Sequence, residues 1–284
     1  MKVWKPVGWT LAALAALGAL LGAVVVWAGL YDISATAQHV QPVYALLEVT
    51  MRHSVQRRAA AIVVPPSYDS AERIRRGAAC YRDSCVQCHG GPGVPSQVIG
   101  MAMQPVPGSL IGAARSWHAR ELYWITRHGI KMSGMPAWQY HLSESDLWSV
   151  VALVRLLPEV TPSAYADLMT QVRDQRCEAA APASATAIGV DRPNARTGAL
   201  ALRMYGCHAC HAIPGVTGSQ PQVGPPLAGF ASRQLIAGRV DNTRENLVAW
   251  IRHPQRIDPK SAMPDLGVTP EHAEEMAAYL LTLH

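Results

Sequence analysis

The residues best suited to chemistry in this 284-residue chain are four cysteines and two histidines that form two short, matching patterns. Each pattern reads Cys-x-x-Cys-His, and the members are Cys85, Cys88 and His89, then Cys207, Cys210 and His211. A single Cys-x-x-Cys pair is compatible with a redox disulfide or with half of a zinc site. A histidine directly after the second cysteine is instead the attachment signature of c-type haem.

The spacing of the pattern has a physical reason. Two thiols on one helical turn can reach the two vinyl groups of a single porphyrin, and the next residue then points an imidazole at the iron. Both copies are followed by Gly/Pro-rich sequence and by a late Met-Pro, which makes coincidence a poor explanation. The sequence therefore predicts two covalently bound haem c groups. His208, inside the second pattern, is predicted to be a solvent-facing spacer.

Each iron also needs a sixth ligand, and a thioether there raises the reduction potential and suits electron transfer. The candidates are Met135 and Met263, each followed directly by proline. Most methionines only fill cores, so each assignment depends on that proline and on the position in the unit. We predict that Met135, not Met132 on the same loop, binds the first iron, because a following proline biases the backbone towards an extended conformation.

The two patterns belong to two stretches with the same order: helix, Cys-x-x-Cys-His, Gly/Pro-rich loop, helix, Met-Pro, terminal helix. This order indicates a divergent internal duplication, and without a useful alternating strand pattern the predicted fold class is all-α. An Ala/Pro/Ser/Thr-rich stretch at 179–187 marks a linker. The predicted divisions are an anchor at 1–31, a helical connector at 32–66, a first domain at 67–170, the linker at 171–192 and a second domain at 193–284.

The run from Val7 to Leu30 carries no charge and is long enough, as a helix, to cross a bilayer core of about 30 Å. Lys2 and Lys5 precede it, which favours a cytoplasmic N-terminus with the rest of the chain outside the cytoplasm. The alternative is a cleaved signal peptide, since residues 35–37 read Ala-Thr-Ala. The apolar part of a signal peptide usually spans only about 7–15 residues, so the sequence favours a retained transmembrane anchor.

Residues 40–62 predict an amphipathic helix that ends before two consecutive prolines at 65–66. Two interpretations stay open for it: packing on the first domain, or docking at the membrane surface or against a partner subunit. Its apolar face follows a three-four spacing at Val40, Val43, Tyr44, Leu47, Met51, Val55, Ala59 and Ile62.

The net charge of +5 does not indicate a nucleic-acid binder. The excess of Lys and Arg lies beside the apolar run, whereas the two predicted domains are nearly balanced, so neither offers a basic stripe.

Two cysteines are left over, Cys80 and Cys177. In an exported chain the compartment is oxidising, so they are predicted to form a disulfide if their Cα atoms approach within about 7 Å. The alternative is two free thiols, one of them buried.

With these motifs the sequence resembles the class I c-type cytochromes, specifically their membrane-anchored diheme members. The resemblance covers about residues 68–165 and 193–284. It is closest in the second unit, where Gly-Pro-Pro-Leu-Ala-Gly at 224–229 is similar to the family's loop after the haem motif. It implies an N-terminal transmembrane helix followed by two class I cytochrome c domains, with His/Met ligation by the pairs His89 and Met135, and His211 and Met263.

The resemblance also implies roles for single residues of the second unit. The carbonyl of Pro225 would accept the ring N–H of His211, which orients the imidazole and makes it a stronger ligand. Arg233 would face a haem propionate. Trp250 would pack beside the axial methionine, and a final helix at 270–283 would cross the N-terminal helix of its unit.

The first unit departs from the family pattern. Its loop at 105–108 reads Pro-Val-Pro-Gly, which leaves open which proline faces His89. Trp138 is expected near a propionate or in the core. The remaining histidines considered as candidates are expected to be ordinary surface or satisfied side chains: His118, His128 and His141.

The resemblance implies an electron-transfer protein without catalytic residues of its own. It would sit in the inner membrane of a bacterium with its haem domains in the periplasm, as a free carrier or as a subunit of an oxidase or dehydrogenase. Its expected partners are the membrane, a quinol-oxidising complex or dehydrogenase as donor, and an oxidase or soluble cytochrome as acceptor, with no nucleic acid. The alternative is a diheme cytochrome c peroxidase, whose working haem must expose an open iron face to peroxide.

Overall fold

The computed structural model describes residues 4–177, 195–219 and 223–284, with side chains from residue 7 onward. Most of the described chain is helical, and its strands are limited to a short antiparallel hairpin, β1 (Leu235–Ile236) and β2 (Val240–Asp241). Two sequence predictions fall on residues outside the described ranges. They are the linker stretch at 179–187 and the placement of Lys2 before the apolar run.

The chain begins with a long apolar helix, α1 (Trp4–Trp27). Alanine and leucine dominate it, and both favour helix. Its stretch from Val7 to Trp27 is 21 residues long, which matches the thickness of a bilayer core. None of this stretch is buried against the rest of the protein. Length and composition therefore fit either a membrane anchor or a signal sequence.

The connector helix, α2 (Gln41–Ala59), is shorter than the predicted 40–62 and divides into two halves. Val55 and Ala59 are buried, and Met51 lines a cavity of the first unit. The first half has apolar side chains on several sides of the helix, so no single face can bury them all. Packing on the first unit therefore applies to the second half only. The exposed apolar side chains are Val40, Tyr44, Leu46, Leu47 and Val49.

The first unit is built around two helices that cross at close range. Gly77 on the first of them has no side chain, and a Cβ there would lie 1.9 Å from the Ser149 carbonyl oxygen on the second. The absence of a side chain thus permits the backbone contact. The helices of this unit are α3 (Ala71–Ser84), α4 (Val86–His89), α5 (Val98–Met101), α6 (Ala113–Ser116), α7 (Ala119–His128), α8 (Glu144–Leu156) and α9 (Pro162–Gln171).

An ion pair and two serine caps fix the same crossing. Arg76 on α3 donates to both carboxylate oxygens of Asp146 on α8, at 2.7 and 3.2 Å. Asp146 is only 3% exposed, and Ser143 also donates to it, so the buried carboxylate is fully partnered. Ser70 and Ser143 accept backbone N–H groups at the starts of α3 and α8, as N-cap residues do.

Cys80 and Cys177 form a disulfide, which confirms that prediction. Their Cα atoms are 4.5 Å apart. Arg82 on α3 donates to the carbonyls of Val172 and Gln175, both at 2.6 Å, and Val172 is fully buried. The described chain thus stays in contact with the first core as far as Cys177, while the boundary at 170 remains a prediction.

The second unit repeats the close crossing with Gly198 at its centre. A Cβ at Gly198 would lie 2.0 Å from the Glu275 carbonyl oxygen on the terminal helix. That helix ends at Leu280, three residues before the predicted Leu283. The helices of this unit are α10 (Ala195–Met204), α11 (Arg244–Arg252), α12 (Pro254–Ile257) and α13 (Pro270–Leu280).

Candidate haem-binding sites

The first Cys-x-x-Cys-His pattern forms one turn of helix at the end of α3. The amides of Cys88 and His89 both donate to the Cys85 carbonyl, at 3.1 and 3.0 Å. This turn brings two thiols and an imidazole to one wall of a cavity of about 810 Å³. The predicted group of three side chains is therefore assembled by local backbone geometry alone.

The second pattern forms the same turn. The amides of Cys210 and His211 donate to the Cys207 carbonyl, at 3.2 and 2.9 Å. Gly206, directly before it, has a φ of 74°, a left-handed conformation that glycine adopts without strain. The two units thus present their cysteines and histidines with matching backbone hydrogen bonds.

The first cysteine of each pattern, Cys85 or Cys207, lies in surroundings that disfavour a thiolate. Burial, with Cys88 beside it, raises the pKa of Cys85 to about 12. Burial likewise raises the pKa of Cys207 to about 11. A redox dithiol or a zinc ligand needs the thiolate and a lowered pKa. A neutral thioether carries no charge, so the burial of Cys85 and Cys207 suits covalent haem better than either alternative.

A backbone carbonyl orients each imidazole. His211 Nδ1 lies 2.8 Å from the Pro225 carbonyl oxygen, and His89 Nδ1 lies 2.8 Å from that of Gly108. The partner in the first unit is thus the glycine of Pro-Val-Pro-Gly rather than either proline. In both units Nε2 is left as the ring atom available to a metal.

In each unit, one glycine lets the loop after the haem motif run close to that motif, a role that the sequence analysis did not identify. A Cβ at Gly224 would lie 2.6 Å from His211 Cε1, and a Cβ at Gly100 would lie 2.8 Å from Cys88 Cα. The loops are tied to the motifs by backbone bonds, from Gly224 N to the Cys210 carbonyl and from Gln97 N to the Gln87 carbonyl. Both glycines lie in the Gly/Pro-rich loops, but their individual roles depend on contacts that composition does not reveal.

Each methionine loop contains the same type of hydrogen bond, which the sequence predictions did not include. The Met135 amide donates to Ser133 Oγ, and the Met263 amide donates to Ser261 Oγ, both at 3.2 Å. The shared pattern is therefore Ser-x-Met-Pro rather than Met-Pro alone. Met135 lines the cavity, whereas Met132 is 92% exposed.

The cavity of the first unit is suited to a large apolar ring. Besides the Cys-x-x-Cys-His turn and Met135, its wall contains aliphatic and aromatic side chains from several helices and loops. Trp138 is part of this wall and packs on the core. A haem fits these surroundings, and it would supply a one-electron redox centre there. Other lining residues are Met51, Met103, Trp117, Leu122, Ile125 and Val151.

Two further predicted residues occupy distinct positions in the second unit. Trp250 is buried in its core, and Met263 packs against that core. Arg233 is half-buried, and its guanidinium donates to the carbonyls of Pro226 and Ala228. These contacts hold the arginine against the loop that follows the haem motif.

The other candidate histidines have local contacts, and the prediction for His208 is wrong. His208 is half-buried rather than solvent-facing, and its Nδ1 is buried without a hydrogen-bond partner. The amide of His118 donates to Glu121 at the start of α7. Burial lowers the pKa of His128 and of His141.

Comparisons with known proteins place both units in cytochrome families. Residues 72–154 match the family described as cytochrome c oxidase, cbb3-type, subunit III, and residues 195–284 match the family described as cytochrome c. Cytochrome c oxidase subunit 2 of Alkalihalophilus pseudofirmus is 41% identical over 78 residues, which are 27% of this chain and 22% of that protein. Subunit 2 of Bacillus sp. strain PS3 is 32% identical over 81 residues, 27% of this chain and 23% of that protein.

These relatives correspond to only part of the molecule. The chain covers less than a quarter of the length of either curated relative. No solved structure gives a significant match. The two family matches, the two Cys-x-x-Cys-His turns and the apolar helix before them agree with one another. With two cytochrome c domains behind one apolar N-terminal helix, this chain belongs to the diheme c-type cytochromes.

Proposed function

We propose that this cytochrome is anchored in a bacterial inner membrane and passes single electrons between respiratory-chain partners on the periplasmic side. The observation that carries the proposal is the repetition, in both units, of an oriented imidazole and a serine-bonded methionine loop. Two complete sets of this kind suit a protein that relays electrons.

In this proposal the chain's residues hold and tune two haem c groups. Two cysteines per haem would keep it attached even where an iron ligand is weak. His89 and His211 bind the irons through Nε2, and the carbonyls that accept from Nδ1 make them stronger ligands. Arg233 would turn towards a propionate, and Trp250 would pack beside the second methionine.

Met135 and Met263 are proposed as the sixth ligands. A thioether over each iron closes the position that peroxide would need. This is the argument for electron transfer over the alternative of a diheme peroxidase. The support is that the described part of each unit contains its own Ser-x-Met-Pro loop.

A terminal oxidase is the proposed acceptor. The names of the family that matches the first unit and of both curated relatives refer to cytochrome c oxidase subunits. A quinol-oxidising complex or a dehydrogenase is the proposed donor. The chain would act as a subunit of the complex or as a carrier that docks on it.

Two observations support export and anchoring. The Cys80–Cys177 disulfide suits an oxidising compartment such as the periplasm. Nothing in the described chain buries the 21-residue apolar stretch, which suits insertion in lipid. Recovery of a mature protein starting at Gln38 in the soluble periplasm would contradict the anchor.

The proposal is tested with the full-length protein purified in detergent with both haems attached. We expect copurification with oxidase subunits, reduction by a quinol-oxidising complex, and reoxidation by the oxidase with two electrons per chain. Turnover of peroxide by the reduced protein, without electron delivery to an oxidase, would favour the peroxidase alternative instead.

A further inference from the structure

The Met135 loop of the first unit continues into the core of the second. After Met135 and Pro136 the chain forms a short 3-10 turn, Trp138–Tyr140. Ala137 and Tyr140, each 8% exposed, are buried within the hydrophobic cluster of the second unit rather than that of the first. The loop proposed to hold the first methionine ligand therefore also enters the core of the other unit.

Three rings make this contact. The Tyr140 ring lies 5.0 Å from the ring of His272, the third residue of α13. On its other side, His272 Nδ1 lies 3.0 Å from the hydroxyl of Tyr205, with the two rings 5.6 Å apart. We call Tyr140, His272 and Tyr205 the aromatic bridge. Separations of this size fall in the range of favourable aromatic packing.

The bridge connects one haem-binding segment of each unit. At one end it joins the methionine loop of the first unit. At the other, Tyr205 directly precedes the Gly206-Cys207 step into the second haem motif. Its amide donates to the Ala201 carbonyl at 2.9 Å, so the tyrosine is held by the last turn of α10.

Burial shifts the pKa of each ring of the bridge in the direction that favours its uncharged form. Burial, with Glu275 nearby, raises the pKa of Tyr140 to about 12. Burial also raises the pKa of Tyr205 and lowers that of His272. Arg127 supports the loop from the first unit, since its guanidinium donates to Gln139 at 3.3 Å.

We propose that the aromatic bridge positions the two haem units relative to each other and thereby sets the rate of electron exchange between them. The inference rests on the proposed function, because it assumes a haem in each unit. The exchange moves one electron, so one iron is oxidised as the other is reduced, with no bond made and no proton required. Loss of ring packing would loosen the contact and lengthen the gap between the two haems.

The first test measures exchange in the full-length, half-reduced protein. Exchange spectroscopy by NMR follows the haem methyl signals, which differ between the haems, and the part of the rate that does not depend on protein concentration is intramolecular. We expect Tyr140→Leu and His272→Ala to slow this intramolecular rate. Tyr140→Phe keeps the ring and should retain it. Tyr44→Leu, on the exposed half of α2, is the matched control and should have no effect.

The second test does not depend on electron transfer. Hydrogen–deuterium exchange of residues 136–141 and of the first turn of α13 should be faster in Tyr140→Leu and His272→Ala. It should be unchanged in Tyr140→Phe and Tyr44→Leu. A structural defect inside one unit would instead cause loss of a haem or of a methionine–iron absorption band. The haem content and the absorption spectrum are therefore recorded for every variant.

The outcomes separate the two proposals. Unchanged intramolecular exchange in Tyr140→Leu and His272→Ala, with both haems and both methionine–iron bands retained, would overturn the bridge. So would a wild-type protein without intramolecular exchange, even if both haems still accept electrons from the donor complex and the proposed function stands. Failure of the wild-type haems to be reduced by the donor or reoxidised by the oxidase would count against the proposed function.

Discussion

At the scale of single residues, exposure favours one of two methionines on the same loop as the proposed iron ligand. Met135 lines the same cavity as the Cys-x-x-Cys-His turn, whereas Met132 is 92% exposed and has a φ of 58°. A side chain that is nearly all in water gains nothing from a neighbouring apolar ring. The exposure of the two side chains thus supports Met135 as the proposed ligand, independently of the proline that follows it.

We therefore expect Met135→Ala to abolish the sulfur–iron charge-transfer band of the first haem and to lower its reduction potential. Loss of the thioether removes the ligand that favours the reduced iron. Met132→Ala is the matched control and should leave both properties unchanged. The bands are read by absorption spectroscopy and the potentials by redox titration. A reversed pattern would show that the assignment is wrong.

The serine of each Ser-x-Met-Pro loop makes a separate prediction. Ser133→Ala and Ser261→Ala each remove the acceptor of a methionine N–H, a loss of about 1 kcal/mol for a typical hydrogen bond. Each variant should lose the sulfur–iron band of its own haem at a lower denaturant concentration than the wild type does. Ser163→Ala, at the exposed start of α9, serves as control. Equal sensitivity of all three variants would contradict a role for these serines.

At the scale of elements, each unit depends on a glycine where two of its helices cross, α3 with α8 and α10 with α13. A methyl group at Gly77 would have to displace the Ser149 carbonyl, and one at Gly198 would have to displace that of Glu275. Backbone at a helix crossing cannot move without moving the helix. These positions are therefore structural requirements of the crossing and not sites of chemistry.

Gly77→Ala should lower the free energy of unfolding of the first unit by about 1–3 kcal/mol, the usual range for overpacking. Denaturant unfolding of the haem-containing protein measures the effect. Arg75→Ala, on the exposed side of the same helix, is the control and should change stability little. A Gly77→Ala protein as stable as this control would show that the helices can separate without cost.

The disulfide ties the end of the first unit back to α3. Cys80 and Cys177 are 97 residues apart in sequence, so the bond closes a long loop in the unfolded chain. Cys177→Ser should lower the free energy of unfolding by about 2–5 kcal/mol. Cys80→Ser should have the same effect, and the double variant should not be worse than either. A wild-type unfolding midpoint that does not respond to reductant would contradict this prediction.

At the scale of the whole molecule, the contact between the units should depend on pH. Burial lowers the pKa of His272 from 6.5, so separating the units lets the imidazole take up a proton more readily. The contribution of His272 to docking is therefore fully present above about pH 6.5 and is lost as the pH falls below it. The other titratable groups around it are Tyr140, His141, Tyr205, Glu271 and Glu275.

Hydrogen–deuterium exchange of residues 136–141 at about pH 7.5 and about pH 5.5 measures this dependence, after correction for the intrinsic effect of pH on exchange. We expect faster corrected exchange at the lower pH. Burial raises the pKa of Glu275, which acts in the opposite direction, so His272→Phe is the control that isolates the histidine. Equal pH dependence in wild type and His272→Phe would assign the effect to another group.

The sequence by itself determined the features that depend on local spacing. The two Cys-x-x-Cys-His turns need only one helical turn each, and the apolar run needs only its length and lack of charge, so motif, helix and unit order could all be read from the chain. The motifs account for four of the six cysteines, which left Cys80 and Cys177 as either a disulfide or two free thiols until the structure showed the disulfide.

The tertiary structure decided what depends on residues far apart in sequence or on the direction of a side chain. The Gly108 carbonyl, the half-buried His208, the unburied half of α2 and the tight crossing at Gly77 all depend on which surfaces meet. The insertion of Tyr140 into the second core depends on how two separately folded units dock. Periodicity reports which residues of one helix share a face, but it holds no information about the distance to another element, and only the packed chain supplies that distance.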